Sequence, residues 1–227
     1  MGMMKSLLDN KHRVIGAFIL IMAGVLGRIC LRGFLPNTPS WYITINGITQ
    51  PVFMMDLFFV VAVISLLSGL LLRSYYTFIV PFLIMLITDI YYGNNYIFLF
   101  TWSGFILIAL LGFLISSRKS TLNIPVVIGT GIVGVLLYDL WTNFGCWLGW
   151  YPHTLNGLIL CYTVAIPFTL WHLLSTVAAV SVIVIPAIYV KEHGLLNINY
   201  VPTPTETKVT ALLSAALMVL SPILLFL

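Results

Sequence analysis

Charge is nearly missing from this sequence. Its 227 residues include ten Lys and Arg and only six Asp and Glu, whereas a soluble domain carries charge on about a quarter of its residues. That scarcity excludes a water-soluble globule. It also excludes a nucleic-acid binder: the basic residues stand at the ends of apolar runs, where they set membrane topology, and they form no patch. Cysteine is scarce and odd in number (Cys30, Cys146, Cys161), which excludes a disulfide framework. There is no H-E-x-x-H, no G-x-S-x-G and no phosphate-cradling glycine loop, and Ser103-Gly104 with His172 does not make a dyad. The expectation is therefore a binding protein and not an enzyme, with no cofactor and no metal.

What is present is hydrocarbon. Hydrophobic residues make up 61% of the chain, and the apolar runs fall into seven stretches of roughly the length that crosses a bilayer. The fold class expected is all-α transmembrane: a cytoplasmic N-terminus over 1–13, a six-span domain over 14–190, a cytoplasmic linker over 191–208 and an extra C-terminal span over 209–227. The spans are predicted at 14–31, 52–72, 76–92, 96–115, 124–148, 157–189 and 209–227. Span 1 carries a small-xxx-small pair, Ala23 and Gly27, that permits close helix approach. Span 6 is too long for one straight crossing, and Pro167 and Pro186 are expected to break or kink it. The outer loops are 34–51, 93–95 and 149–156. The first contains Asn-Gly with alternating Ile-Thr-Ile, which reads as a hairpin or a cap over the helix ends.

Charge asymmetry orients the chain. With the N-terminus inside and the C-terminus outside, the inner side receives Lys5, Lys11, Arg13, Arg73, Arg118, Lys119, Lys191 and Lys208, and the outer side only Arg28 and Arg32. Three acids share the level of those two arginines: Asp56, Asp89 and Asp139. On span 5, Asp139, Asn143 and Cys146 fall at i, i+4, i+7, one face of a helix. Such groups in hydrocarbon demand partners and mark functional sites. Two readings stand. One is a pocket open to the outside, lined by aromatic rings and a few fixed polar groups. The other is an ion-pair cluster that locks helices together inside an ordinary aromatic belt. Cys146, His153 and Cys161 around the short WYPHT turn match no metal-ligand spacing; a Cys146–Cys161 disulfide is an alternative to simple packing.

The segment NFGCWLGWYPHTLNGLILCYTVAIPF, with Arg28, Leu35-Pro36, Pro81, Asp89 and Gly93 ahead of it, resembles the signature of an uncharacterised prokaryotic integral membrane family. That family in turn resembles the substrate-capture (S) components of energy-coupling-factor (ECF) vitamin transporters. The resemblance implies a six-helix S-component-like bundle in the cell membrane, with the seventh span added. It implies capture of a small vitamin-like molecule at the outer face and movement together with a transmembrane coupling protein and ATPases. Membrane lipid is the other partner. In this reading Arg28, Asp89 and Asp139 orient polar ends of the ligand, and Asn94 and Asn143 hydrogen-bond. Trp41, Trp147 and Trp150 stack, and Tyr151 and His153 close the turn over the ligand. The rival is an accessory subunit of a larger membrane complex. One feature departs from S components: Ala17 is followed four residues on by Ile21, not by the second alanine of their docking motif.

Overall fold

Inside hydrocarbon, backbone polar groups are satisfied only within helices or closed barrels, and these apolar runs form helices. A computed structural model describes residues 2–34, 42–45, 47–51, 56–93, 96–118, 123–193 and 201–226. α1 is Gly2–Leu31 and is followed by a 3-10 turn, Arg32–Phe34. Strands β1 (Tyr42–Ile45) and β2 (Ile48–Pro51) pair antiparallel, Ile45 opposite Ile48. α2 is Phe58–Leu67 and ends in a π turn, Ser68–Leu72. α3 is Tyr76–Tyr92, α4 Phe98–Arg118 and α5 Ile124–Trp150. α6 is Leu155–Ala179 and passes through a π turn, Val180–Val184, into α7, Ile185–Glu192. α8 is Pro204–Leu225, started by a capping box between Thr203 and Glu206.

Among the described residues, five stretches are long and apolar enough to cross a membrane: Lys11–Phe34, Phe98–Arg118, Ile124–Trp150, Leu155–Lys191 and Pro204–Leu225. This is the make-up of a multi-pass membrane protein. α2 and α3 are shorter apolar helices. Successive helices alternate in direction, so one end of the bundle collects the β hairpin, the α3–α4 and α5–α6 connections and the end of α8. That end is called the hairpin end below.

α2 is the centre. Every residue from Val60 to Leu72 is buried, as expected of a helix apolar all round its circumference. It meets α4 backbone to backbone. A Cβ on Gly69 would lie 2.0 Å from the Ala109 carbonyl oxygen, and one on Gly112 would lie 2.7 Å from that of Leu66. With its π turn, α2 extends for only about 22 Å, so it does not fill the bundle's axis. Asp56 precedes the helix and does not lie in its first turns; Val52–Met55, assigned to span 2 by the sequence, lie outside the described residues.

Two other expectations change. The long sixth run does not break at Pro167: α6 continues through it, and the irregularity is the π turn just before Pro186. A π turn re-registers the backbone where proline cannot donate its hydrogen bond. In α1, Ala23 faces outward while Gly24 and Gly27 make the close approaches, to Ile84 and Val60. At the opposite end, the Arg13 Nε–H donates to the Leu72 carbonyl (3.0 Å). Arg73 donates to Ser116 Oγ (3.1 Å) and to the Ser116 carbonyl (2.5 Å). These bonds hold the turn in which Arg73 and Ser74 take positive φ, 58° and 56°.

Candidate functional site

The α5–α6 connection builds one wall. α5 ends at Trp150, and Thr154 caps α6 by accepting from Gly157 N–H (3.1 Å). The turn between them is tied down on both sides. The Trp147 Nε1–H donates to the Pro152 carbonyl (3.0 Å), and His153 Nε2 pairs with the Leu148 carbonyl (2.9 Å). This geometry leaves Trp150 half-exposed at the rim while Asp139, eleven residues earlier on the same helix, is buried.

The most unusual constellation lies deeper. His172 of α6 is sandwiched between two carboxyl groups: Nδ1 is 2.7 Å from Asp139 Oδ1 and Nε2 is 2.9 Å from Asp56 Oδ2. Its ring stacks on Phe58 at 4.0 Å between centroids, with Tyr138 edge-on to both. Asp56 is set in place by neighbours on both sides, because its Oδ1 accepts from Phe58 N–H (3.2 Å) and its carbonyl accepts from Trp171 Nε1–H (3.4 Å). Two hydrogen bonds between three groups that would otherwise all accept require two shared protons. An imidazolium between two carboxylates, or a neutral ring between an acid and a carboxylate, both leave one net negative charge (−1 −1 +1). The remaining oxygen, Asp139 Oδ2, is buried and has no hydrogen-bond partner among the described residues.

These groups line a cavity of about 570 Å³ at the hairpin end, inside the size range of small-molecule sites. Asp139 and His172 are its buried polar floor. Asn143, Thr142 and Cys146 of α5 continue the wall, Thr101 of α4 and Cys161 and Phe168 of α6 face them, and Trp150 and Tyr151 stand at the rim. A smaller void of about 250 Å³ lies on the other side of Asp139, between α5 and α6. Cys146 and Cys161 are both free thiols, and the Cys161 thiol donates to the Asn143 carbonyl (3.4 Å).

Arg28 and Asp89 form a second cluster, outside the cavity wall. The Arg28 guanidinium donates to Asp89 Oδ1 (3.1 Å) and to Thr88 Oγ1, and the Trp102 Nε1–H donates to Asp89 Oδ2 (2.6 Å). Both carboxylate oxygens are used. Arg32 lies over the Tyr92 ring, 4.2 Å from its centroid. The expected outer-face grouping of Arg28, Asp89 and Asp139 is therefore two groupings.

Of the residues the sequence singled out, the structure brings Asp139, Asn143, Trp150 and Tyr151 together on the cavity. Arg28 and Asp89 are paired with each other. Trp147 and His153 pack on one another at 5.6 Å and secure the turn without lining the cavity. Trp41 and Asn94 lie outside the described residues. The sequence did not assign His172 or Asp56 to the site. The available signal was their class: ionisable side chains within or beside apolar helices, which are costly unless partnered.

The chain belongs to the family of unknown function DUF6580, which matches residues 9–194. The match takes in every wall residue of the cavity and stops before α8. No curated protein and no solved structure matches the chain.

Proposed function

We propose that this chain is the substrate-binding component of an uptake system in the cell membrane. It captures a small vitamin-like molecule at the hairpin end and moves it together with a transmembrane coupling protein and ATPases. The observation that carries this reading is the cavity of about 570 Å³, with a polar floor at His172 and Asp139 and an aromatic rim at Trp150 and Tyr151. In this proposal the seven helices cross the membrane with the N-terminus inside, so that the cavity faces outward. The distribution of arginine and lysine supports that orientation. Asp139 and Asn143 orient the ligand, His172 and Asp56 hold Asp139, and Trp150 stacks. Ala17 is buried in the bundle, so a coupling protein would dock on another part of α1 or on other helices.

The test is mass spectrometry of the protein purified in mild detergent, before and after denaturing extraction. A stoichiometric small molecule released on denaturation is the expected result. Its consistent absence, with stable co-purifying proteins that lack ATPase motifs, points to an accessory subunit instead. That second reading is favoured by the Arg28–Asp89–Trp102 cluster, whose carboxylate oxygens are both engaged, as in a helix lock.

A further inference from the structure

Resting on the capture reading, we infer the chemical class of the ligand: an organic cation with an aromatic or apolar body, whose N–H group is bound by the acidic floor that Asp139 and Asp56 provide.

Three observations converge on this. The first is charge. With the two protons its hydrogen bonds need, the Asp56–His172–Asp139 trio carries one net negative charge, and among the described residues no Lys or Arg lines the cavity. An uncompensated charge in a low-dielectric site is costly, and a cation brought by the ligand offsets it. The second is the orphan oxygen. Asp139 is 5% exposed, and its Oδ2 has no partner among the described residues. A buried acceptor left unmade costs free energy that a donor group recovers.

The third is the direction in which the wall's hydrogens point. The Thr101 and Thr142 hydroxyls donate to the carbonyls of Phe98 (2.7 Å) and Tyr138 (3.0 Å) in their own helices. The Asn143 amide donates to the Asp139 carbonyl (2.7 Å), and the Cys161 thiol donates to the Asn143 carbonyl. The two hydroxyls and the Cys161 thiol have committed their single hydrogens to backbone, and Asn143 one of its two. With the Asp56 and Asp139 carboxyl groups the lining is acidic and offers acceptors to a donor head. An anionic ligand such as a carboxylate meets acceptors and a negative field; an ammonium or amidinium meets partners. Trp150 and Phe168 supply ring faces that attract a cation or stack on an aromatic body.

The experiment uses the full chain in detergent and three probes with the same phenyl body and different heads: 2-phenylethylamine, 2-phenylethanol and 3-phenylpropanoate. Calorimetric titration ranks their affinities, and the molecule released by denaturing extraction is read for its charge. The amine is expected to bind about tenfold or more tighter than the alcohol, with the carboxylate weakest. Asp139→Asn is expected to bring amine and alcohol within about twofold of one another. If D139N does not fold, the wild-type ranking still decides. A carboxylate that binds as well as the amine, or a released natural ligand that is an anion, overturns the cation assignment and leaves capture standing. Failure of all three probes together with no released molecule overturns both.

Discussion

Two acid clusters sit near the same end of this bundle and have opposite fates. At Asp89 the carboxylate is saturated: an arginine and an indole N–H take its two oxygens, and Thr88 shares the arginine. At Asp139, whose side chain lines the cavity, one oxygen bonds His172 and the other is buried without a hydrogen-bond partner among the described residues. The first arrangement ties α1, α3 and α4 together. The second ties α5, α6 and the start of α2 together and leaves one acceptor unmet among the described residues. Both are buried acids in an apolar setting, and the count of partners is what differs.

The comparison can be broken at either cluster. The largest effect on stability is expected from Arg28→Ala, which leaves Asp89 without its cation. It should cost about 3 kcal/mol and lower the thermal midpoint in detergent by several degrees, with ligand affinity unchanged in the folded fraction. His172→Leu is next. It removes the donor between two carboxyl groups and should abolish ligand binding while costing about 1–3 kcal/mol of stability. A variant that still binds ligand with wild-type affinity would remove the trio from the site. Trp102→Phe should cost about 1.5 kcal/mol through the indole bond to Asp89, again without touching affinity. The smallest effect sharpens the assignment of the stacking ring. Trp150→Ala should weaken binding by about 1 kcal/mol, roughly fivefold, and Trp147→Ala, which acts only through the turn, should weaken it less. The reverse order would place the ligand above the turn and not in the cavity.

The parts of the site carried by one helix were readable. Asp139, Asn143 and Cys146 sit at helical spacing and do share the cavity wall. The β hairpin was readable too, because Asn-Gly between alternating residues forces a tight turn. Pairings between helices were not. His172 meets Asp56 across 116 positions and Asp139 across 33, and no local pattern encodes the sliding of one helix past another. A depth count even misleads: His172 lies seventeen residues inside its helix and Asp139 eleven residues from the end of its own, a mismatch of about 9 Å at 1.5 Å per residue. The first turn of α2 was not readable for a related reason. Asp56 and Leu57, which precede the helix, are flanked by apolar residues on both sides, so composition alone had no means of marking that α2 begins at Phe58.

The two glycines between α2 and α4 carry a consequence of a different kind. At Gly69 and Gly112 the opposing backbone occupies the space where the first atom of any side chain would go, so not even alanine can be substituted without parting the helices. Such sites cannot drift. In relatives, exposed apolar positions such as Phe18 or Leu174 are expected to exchange one apolar residue for another, while these two are expected to be held against a single added methyl group. When relatives are aligned, the columns of Gly69 and Gly112 should stay glycine even where the cavity residues have changed with the ligand. The inherited part of this protein would then be its helix contact, and the negotiable part its cargo.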